Sequence, residues 1–397
     1  MTAAAPLLGI EDISLATSGY VFDLADLAAW QGIDPDKYRV GIGQNRMSFP
    51  TPDEDIVTMA AEAALPLLEG QDLRAIRTVL FATESGIDQS KSAAVYVHAL
   101  LGLSANARVV ELKQACYSAT SALQMALAIV ARNPEQKVLV LASDIARYEA
   151  GSSGESTQGA AAIAMLISND PKVLAVEPGS GLYTTDVMDF WRPNYRREAL
   201  VDGKYSVKIY LEAVAAAWRD YREQGGLDLD AFDHFCYHQP FTRMAAKAHR
   251  HLARVAGSID NDTADAQLEH TFDYNRELGN SYTASIYAGL VSLLDGSDEN
   301  LSGHRVGFFS YGSGAVAELF SGVVQPGYRS GERRERHRRA LERRRLISHA
   351  EYSRLHAEPE IVDGGEHVFE RVTSGPFRLA GVAGHERRYE STSATQL

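Results

Sequence analysis

Residues 115–123 read Ala115-Cys116-Tyr117-Ser118-Ala119-Thr120-Ser121-Ala122-Leu123. A short apolar run, Val109–Leu112, stands just before them, and a helical pattern over Ser118–Arg132 follows. Then come VLVLASDIA (138–146), a strand closing on a polar turn, and the apolar strand AIAMLIS (162–168). Upstream, VLFATESG (79–86) is another strand with polar residues at its end. The second half repeats this order: FDHFCYHQP (232–240) is a strand, GNSYTAS (279–285) opens a helix, VGFFSYGSG (306–314) ends on a polar turn and VAELFSGVV (316–324) is apolar again. The repetition predicts a duplicated βα fold. Two such halves, face to face, would bring polar strand ends from both onto one pocket.

No Pro/Gly/Ser linker divides the chain. Further strands are expected at Thr78–Ala82, Lys137–Ser143, Ala161–Ile167, Phe232–Tyr237 and Arg305–Tyr311. Helices are expected at Glu54–Leu68, Lys91–Leu101, Val207–Glu223, Thr242–Val255, Ser281–Leu294 and Glu332–Arg345. Buried strands interleaved with helices indicate an α/β protein with layered sheets.

At 397 residues the chain exceeds the usual single domain, so two domains or one doubled fold is expected. Its 45% apolar residues exclude disorder. No apolar run approaches the roughly 20 residues needed to span a bilayer. Met1–Ile10 lacks the basic start and apolar core of a signal peptide. Two cysteines cannot build a disulfide framework, so a soluble cytoplasmic protein with reduced thiols is expected. A net charge of −13 disfavours nucleic acid as a partner. One segment departs from this balance: Pro326–Leu346 carries nine Arg against three Glu. Read plainly, it is a solvated helix face with Glu–Arg pairs three and four apart; an anion or a partner is the other reading.

Cys116 lies between a strand and a helix start. There, backbone N–H groups and the helix dipole would favour a thiolate able to exchange with a thioester. A buried structural cysteine is the plainer alternative. Cys236, inside a strand pattern, reads as core. His238 closes a strand before Pro240, where a neutral imidazole can project into a cleft and donate to a carbonyl oxygen, or can simply be a packed histidine. Glu84 ends an apolar strand, and desolvation there would raise its pKa toward that of a general base; a loop glutamate looks the same. Asn280 reads as a helix cap or a donor to substrate. Gly312-Ser313-Gly314 is a tight turn whose backbone N–H groups could line an oxyanion hole. No GxGxxG helix start, P-loop, HExxH or CxxC occurs, so nothing in the sequence supports nicotinamide, nucleotide hydrolysis or a metal.

Together, ATESGIDQSK (82–91), ELKQACYSAT (111–120), YHQPFTRMAAKA (237–248), GNSYTASIY (279–287) and FSYGSG (309–314) resemble hydroxymethylglutaryl-CoA synthase in order and spacing. VGIGQNRMS (40–48), DVMDFWRPNY (186–195), LVDGKYS (200–206) and the tail SGPFRLAG (374–381) resemble it as well, in its bacterial form. The resemblance implies a thiolase-like duplicated fold with α-β-α-β-α layers, usually a homodimer. Residues 1–170 would hold Glu84 and Cys116, and residues 171–397 would hold His238, Asn280 and Ser313 within one integrated unit. It also implies chemistry on coenzyme A thioesters, with no cofactor or metal. Acetyl-CoA would acylate Cys116. Glu84 would take a proton from the acetyl methyl group, and the carbanion would attack the ketone of acetoacetyl-CoA. His238 would support the resulting alkoxide, and water would release the product.

By the same resemblance Asn280, Ser313, Ser206 and Thr157 contact substrate, Tyr148 and Asp189 shape the acyl pocket, and Arg243 and Lys247 meet the CoA phosphates. Backbone N–H groups of Cys116 and Ser313 would face the developing enolate oxygen. Arg243 stands where many members carry Lys, and Ser153 where animal members carry Asn. Ser118 and Ser281 replace commoner residues. The serine after Cys116-Tyr117 also resembles the branch that adds β-alkyl groups to polyketides on acyl carrier protein. A type III ketoacyl synthase with Cys116, His238 and Asn280, and a noncatalytic scaffold, are further readings. Glu84→Ala is expected to keep Cys116 acetylation and lose condensation.

Overall fold

The computed structural model describes residues 7–359 and 361–391. Residues 1–6, the start of the stretch read above for a signal peptide, and residues 392–397 lie outside it. Ten strands form one hydrogen-bonded sheet whose order repeats. In the first half Ile76–Ala82 pairs parallel with Lys137–Ala146. That strand pairs antiparallel with Gly159–Ser168, which pairs antiparallel with Gly9–Thr17. In the second half His234–Tyr237 pairs parallel with Arg305–Gly312. That strand pairs antiparallel with Val316–Val324, which pairs antiparallel with Leu174–Val176. The two sets join where Gly9–Thr17 meets Leu174–Val176. Arg108–Leu112 adds an outer edge to the first set.

Alternation along the strands builds the layers, because successive side chains point to opposite faces. Val138, Val140 and Ala142 enter a core shared with Val306 and Phe308 of the second half. Leu139 and Leu141 face the other way, as do Phe309 and Tyr311. The shared core encloses the helices Ser118–Arg132 and Ser285–Gly296 through Ala119, Leu123, Ile286 and Leu290. Ile56–Ala64 and Ala93–Leu100 cover the first set from outside. Gly203–Glu223 and Thr242–Ala256 cover the second. This is the expected α-β-α-β-α stack.

The repeat extends to the backbone. Ala115 and Tyr282 both have φ of 44°, and each lies three residues before a long helix, at Ser118 and Ser285. L-residues adopt this left-handed conformation at a cost of roughly 1–2 kcal/mol. The matching register sets Cys116 against Thr283.

Several elements differ from the sequence expectations; the helix expected from Ser281, for one, begins at Ser285. Gly203–Glu223 starts four residues before Val207, because Asp202 caps it by accepting Tyr205 N–H at 3.1 Å. Gly9–Thr17 is a central strand that apolar patterning misses; Glu11 and Asp12 interrupt it, and a register shift between Ile10 and Asp12 absorbs them. The arginine-rich helix spans Gly331–Glu342, with Arg338 and Arg339 paired to Glu335 at 2.7 and 2.6 Å as a solvated face predicts. Arg333 and Arg344 are not solvated: they are buried, Arg333 against Asp295 at 3.3 Å and Arg344 against Ser48 Oγ at 2.8 Å. Among the described residues no helix is long and apolar enough to cross a membrane.

Candidate active site

Polar ends of both halves meet in one pocket. Cys116, Tyr148, Ser153, Thr157, Ser206, His238, Asn280 and Ser313 all line it, with Phe190 and Tyr282. Cys116 sits at the turn before the helix Ser118–Arg132. Gly312 of the facing turn has no room for a side chain, since a Cβ would lie 2.5 Å from Gln114 O and 2.7 Å from Tyr117 N. Tyr117 then reaches into the second half and donates to Glu318 at 2.8 Å. The Cys116 turn is therefore held by contacts from the opposite half.

Glu84 follows the strand Ile76–Ala82 and approaches Cys116, whose thiol donates to Glu84 Oε1 at 3.0 Å. Burial, reinforced by the charge of Asp144, pushes the Glu84 carboxyl up to about 8; the thiol bond and Arg192 pull it the other way. Burial first, then the charge and hydrogen bond of Glu84, push the Cys116 thiol well above its usual range. This direction runs against the expected thiolate: burial and the Glu84 and Asp144 carboxyls outweigh the backbone hydrogen bond that lowers it.

Behind Glu84 stands Asp144, fully buried, which accepts six hydrogen bonds. Its Oδ1 takes Thr83 Oγ1, the N–H groups of Glu84 and Ser85, and Ser85 Oγ; its Oδ2 takes the N–H and hydroxyl of Thr283. One carboxylate therefore fixes the Glu84 loop to the Asn280–Thr283 loop of the other half. Sequence reasoning missed Asp144; the signal was an acid ending the apolar run VLVLAS.

His238 is buried, and burial lowers its pKa to about 3, so the imidazole is neutral. Ser285 Oγ accepts Gln239 N–H at 3.2 Å and lies 2.7 Å from His238 Nδ1. Ser285 thus engages Nδ1, and the tautomer in which the serine hydrogen points to Nδ1 is the one that carries the ring proton on Nε2. Tyr210, also missed in the sequence, donates to the His238 carbonyl at 2.7 Å.

Asn280 Oδ1 accepts Tyr282 N–H at 2.9 Å, so its amide NH2 is the end left for a ligand. Thr157 O accepts Asn280 N–H at 3.0 Å. Asp189 lies behind the pocket wall, where it accepts from Tyr311 OH at 2.8 Å, Gly314 N–H at 2.9 Å and Ser206 Oγ at 3.3 Å. It braces the Gly312-Ser313-Gly314 turn. Arg243 and Lys247 stand outside the pocket, exposed one helical turn apart on Thr242–Ala256. Arg243 Nε donates to Val40 O at 3.0 Å. Cys236 is wholly buried in the shared core, as expected. Among the described residues no three His, Cys, Asp or Glu side chains converge as metal ligands.

Residues 6–172 match the hydroxymethylglutaryl-coenzyme A synthase N terminal family, and residues 175–255 and 248–354 match its C terminal family. The chain belongs to the hydroxymethylglutaryl-CoA synthase family. It is 42% identical to the hydroxymethylglutaryl-CoA synthase of Enterococcus faecalis over 353 residues, 88% of this chain and 92% of that one. It is 31% identical over 369 residues to the polyketide biosynthesis 3-hydroxy-3-methylglutaryl-ACP synthase of Bacillus subtilis, covering 87% of each. A structure of HMG-CoA synthase complexed with CoA superposes with a TM-score of 0.92 at 40% identity, over 97% of this chain and all of the other. The curacin-pathway HMG synthase in complex with acetyl donor-ACP gives 0.92 at 30% identity over the same shares. In this member of the HMG-CoA synthase family, Ser118 donates to Ala115 O at 3.0 Å. Its hydroxyl closes the turn that carries Cys116.

Proposed function

We propose that this chain condenses acetyl-CoA with acetoacetyl-CoA and water to give hydroxymethylglutaryl-CoA and CoA, as a mevalonate-pathway acyltransferase. The observation that carries the reading is the Cys116 thiol hydrogen-bonded to Glu84 in the pocket that His238 and Asn280 share. The Cys116 sulfur attacks the acetyl thioester, and the bond to CoA breaks. The thiol proton leaves on the CoA sulfur. With no S–H left to bind, the Glu84 carboxylate faces the acetyl methyl group and removes its proton. N–H groups of Cys116 and Ser313 stabilise the enolate oxygen. The carbanion attacks the C3 ketone of acetoacetyl-CoA, whose oxygen takes the Nε2 proton's hydrogen bond from His238. Asn280 contacts the acetoacetyl thioester carbonyl. Ser206, Thr157, Tyr148 and Asp189 shape the pocket, and Arg243 and Lys247 meet the phosphates of CoA. Water then cleaves the enzyme thioester.

Greater identity to the CoA-dependent relative than to the carrier-protein one supports CoA as the acceptor's handle. A carrier protein is the second reading, supported by the likeness to the curacin-pathway enzyme with its donor-ACP. A homodimer is part of the proposal. It is supported by the free sheet edge Arg108–Leu112, where Val110 is exposed, and by exposed Met125 on the neighbouring helix. Two unpaired cysteines support a cytoplasmic location.

Mass spectrometry after mixing with acetyl-CoA tests the reading: a gain of about 42 Da on Cys116 is expected. Adding acetoacetyl-CoA should then release hydroxymethylglutaryl-CoA. An unmodified Cys116 would defeat the proposal, and turnover only with a β-ketoacyl carrier protein would favour the second reading.

A further inference from the structure

Glu84 stands in the first half, yet one of its contacts comes from the second. Phe190–Trp191 and Leu200–Val201 pair antiparallel as a two-stranded ribbon apart from the main sheet. Phe190 and Val201 line the pocket, so the ribbon borders it. The segment between its strands is tied down on main-chain carbonyls of other elements. Ala199 N–H donates to Arg147 O at 3.3 Å, Arg197 donates to Glu358 O, and Arg192 Nη2 donates to Glu84 O. The last bond sets an exposed guanidinium on the residue whose carboxylate has a proton to take. The other groups facing that carboxyl are the Cys116 thiol, Asp144 and the phenols of Tyr148 and Tyr282. Burial pushes the thiol and both phenols up, toward their neutral forms. The charges left are opposed: Asp144 disfavours the Glu84 carboxylate and Arg192 favours it.

We propose that Arg192 is a positioning residue for the general base: reaching across from the second half, it holds the Glu84 loop at Cys116 and sets a positive charge beside the carboxylate. The proposal rests on the reading of Glu84 as the base. In the proton transfer a C–H bond of the acetyl methyl group breaks, its electron pair stays on carbon, and the proton forms an O–H bond on Glu84. The carboxylate has to be present before this step, and a cation nearby raises its share. Asp144 is buried, where dissolved ions screen little. Arg192 is exposed, so salt weakens its field. The two opposing charges can therefore be told apart in solution.

Single-turnover condensation from acetyl-Cys116 is measured against pH for the wild-type chain, Arg192→Met and Arg192→Lys, with loading from acetyl-CoA followed in parallel by intact mass. Arg192→Met loses the charge. Its rise with pH is expected about half to one unit above that of the wild type, which makes condensation near neutral pH about three- to tenfold slower. Arg192→Lys keeps the charge and should hold the profile near the wild-type position. Both variants are expected to load Cys116 at the wild-type rate. Raising salt from about 0.05 to about 0.5 M should move the wild-type profile toward that of Arg192→Met and leave the methionine profile in place. A methionine profile that overlies the wild type, one lowered by the same factor at every pH, or a lysine profile displaced as far as methionine would overturn the proposal while leaving Glu84 as the base. Wild-type condensation in Glu84→Ala would overturn both readings.

Discussion

Cys116 is buried with its sulfur 3.0 Å from a Glu84 oxygen, and burial and that neighbour favour the protonated thiol. The same contact predicts how the pair responds to mutation. Glu84→Ala removes the charge and the hydrogen bond that raise the thiol, so Cys116 should still load from acetyl-CoA, at a rate within about tenfold of wild type. Condensation from preformed acetyl-enzyme should fall by about 10²–10⁴-fold, the usual contribution of a positioned base. Quenched-flow measurement of the two steps separates them, and loss of loading with intact condensation would sink the role of Glu84. Because only the carboxylate can take the methyl proton, and burial raises Glu84 above the usual carboxylate range, single-turnover condensation should climb as pH rises above neutrality. The residue types were legible in the sequence, but the charge state of Cys116 was not. It depends on Glu84 and Asp144, which come from other elements.

Loops rather than helices or strands carry the junction between the halves, and Asp144 fastens them. Replacing it with Asn keeps one oxygen but turns an NH2 toward groups that are themselves donors. Each donor left unpaired costs about 1–3 kcal/mol, so Asp144→Asn should lower the thermal midpoint clearly. It should also move the rise of condensation with pH to lower values, since the Asp144 charge helps hold Glu84 up. A thermal change without that displacement would mean that Asp144 only supports the fold. The order of strands and helices was readable from apolar runs and small-residue turns. The strand Gly9–Thr17 was not, because its acids break the apolar pattern. The partners of Asp144 were hidden as well: Thr83 and Thr283 lie 61 and 139 residues from it in the chain.

The two halves touch backbone to backbone at a pair of glycines. A Cβ on Gly159 would lie 2.4 Å from Leu278 O and 2.8 Å from Asn280 N. Gly279, at φ +79°, faces it with a Cβ position 1.9 Å from Gln158 O. Gly159→Ala would therefore wedge the halves apart beside Asn280. A loss of about 1–3 kcal/mol in denaturant stability is expected, together with slower condensation. Full activity in a destabilised variant would show that the seam does not set the pocket. Nothing local in the sequence singles out this pair. Beside the same seam, Ala115 and Tyr282 hold matching left-handed turns, one presenting a thiol and the other the hydroxyl of Thr283. What the two turns hold differs: Cys116 lines the pocket with its thiol on Glu84, while Thr283 gives its hydroxyl to the buried Asp144. One turn of the matched pair therefore faces the cavity, and the other ties together the loops that frame it.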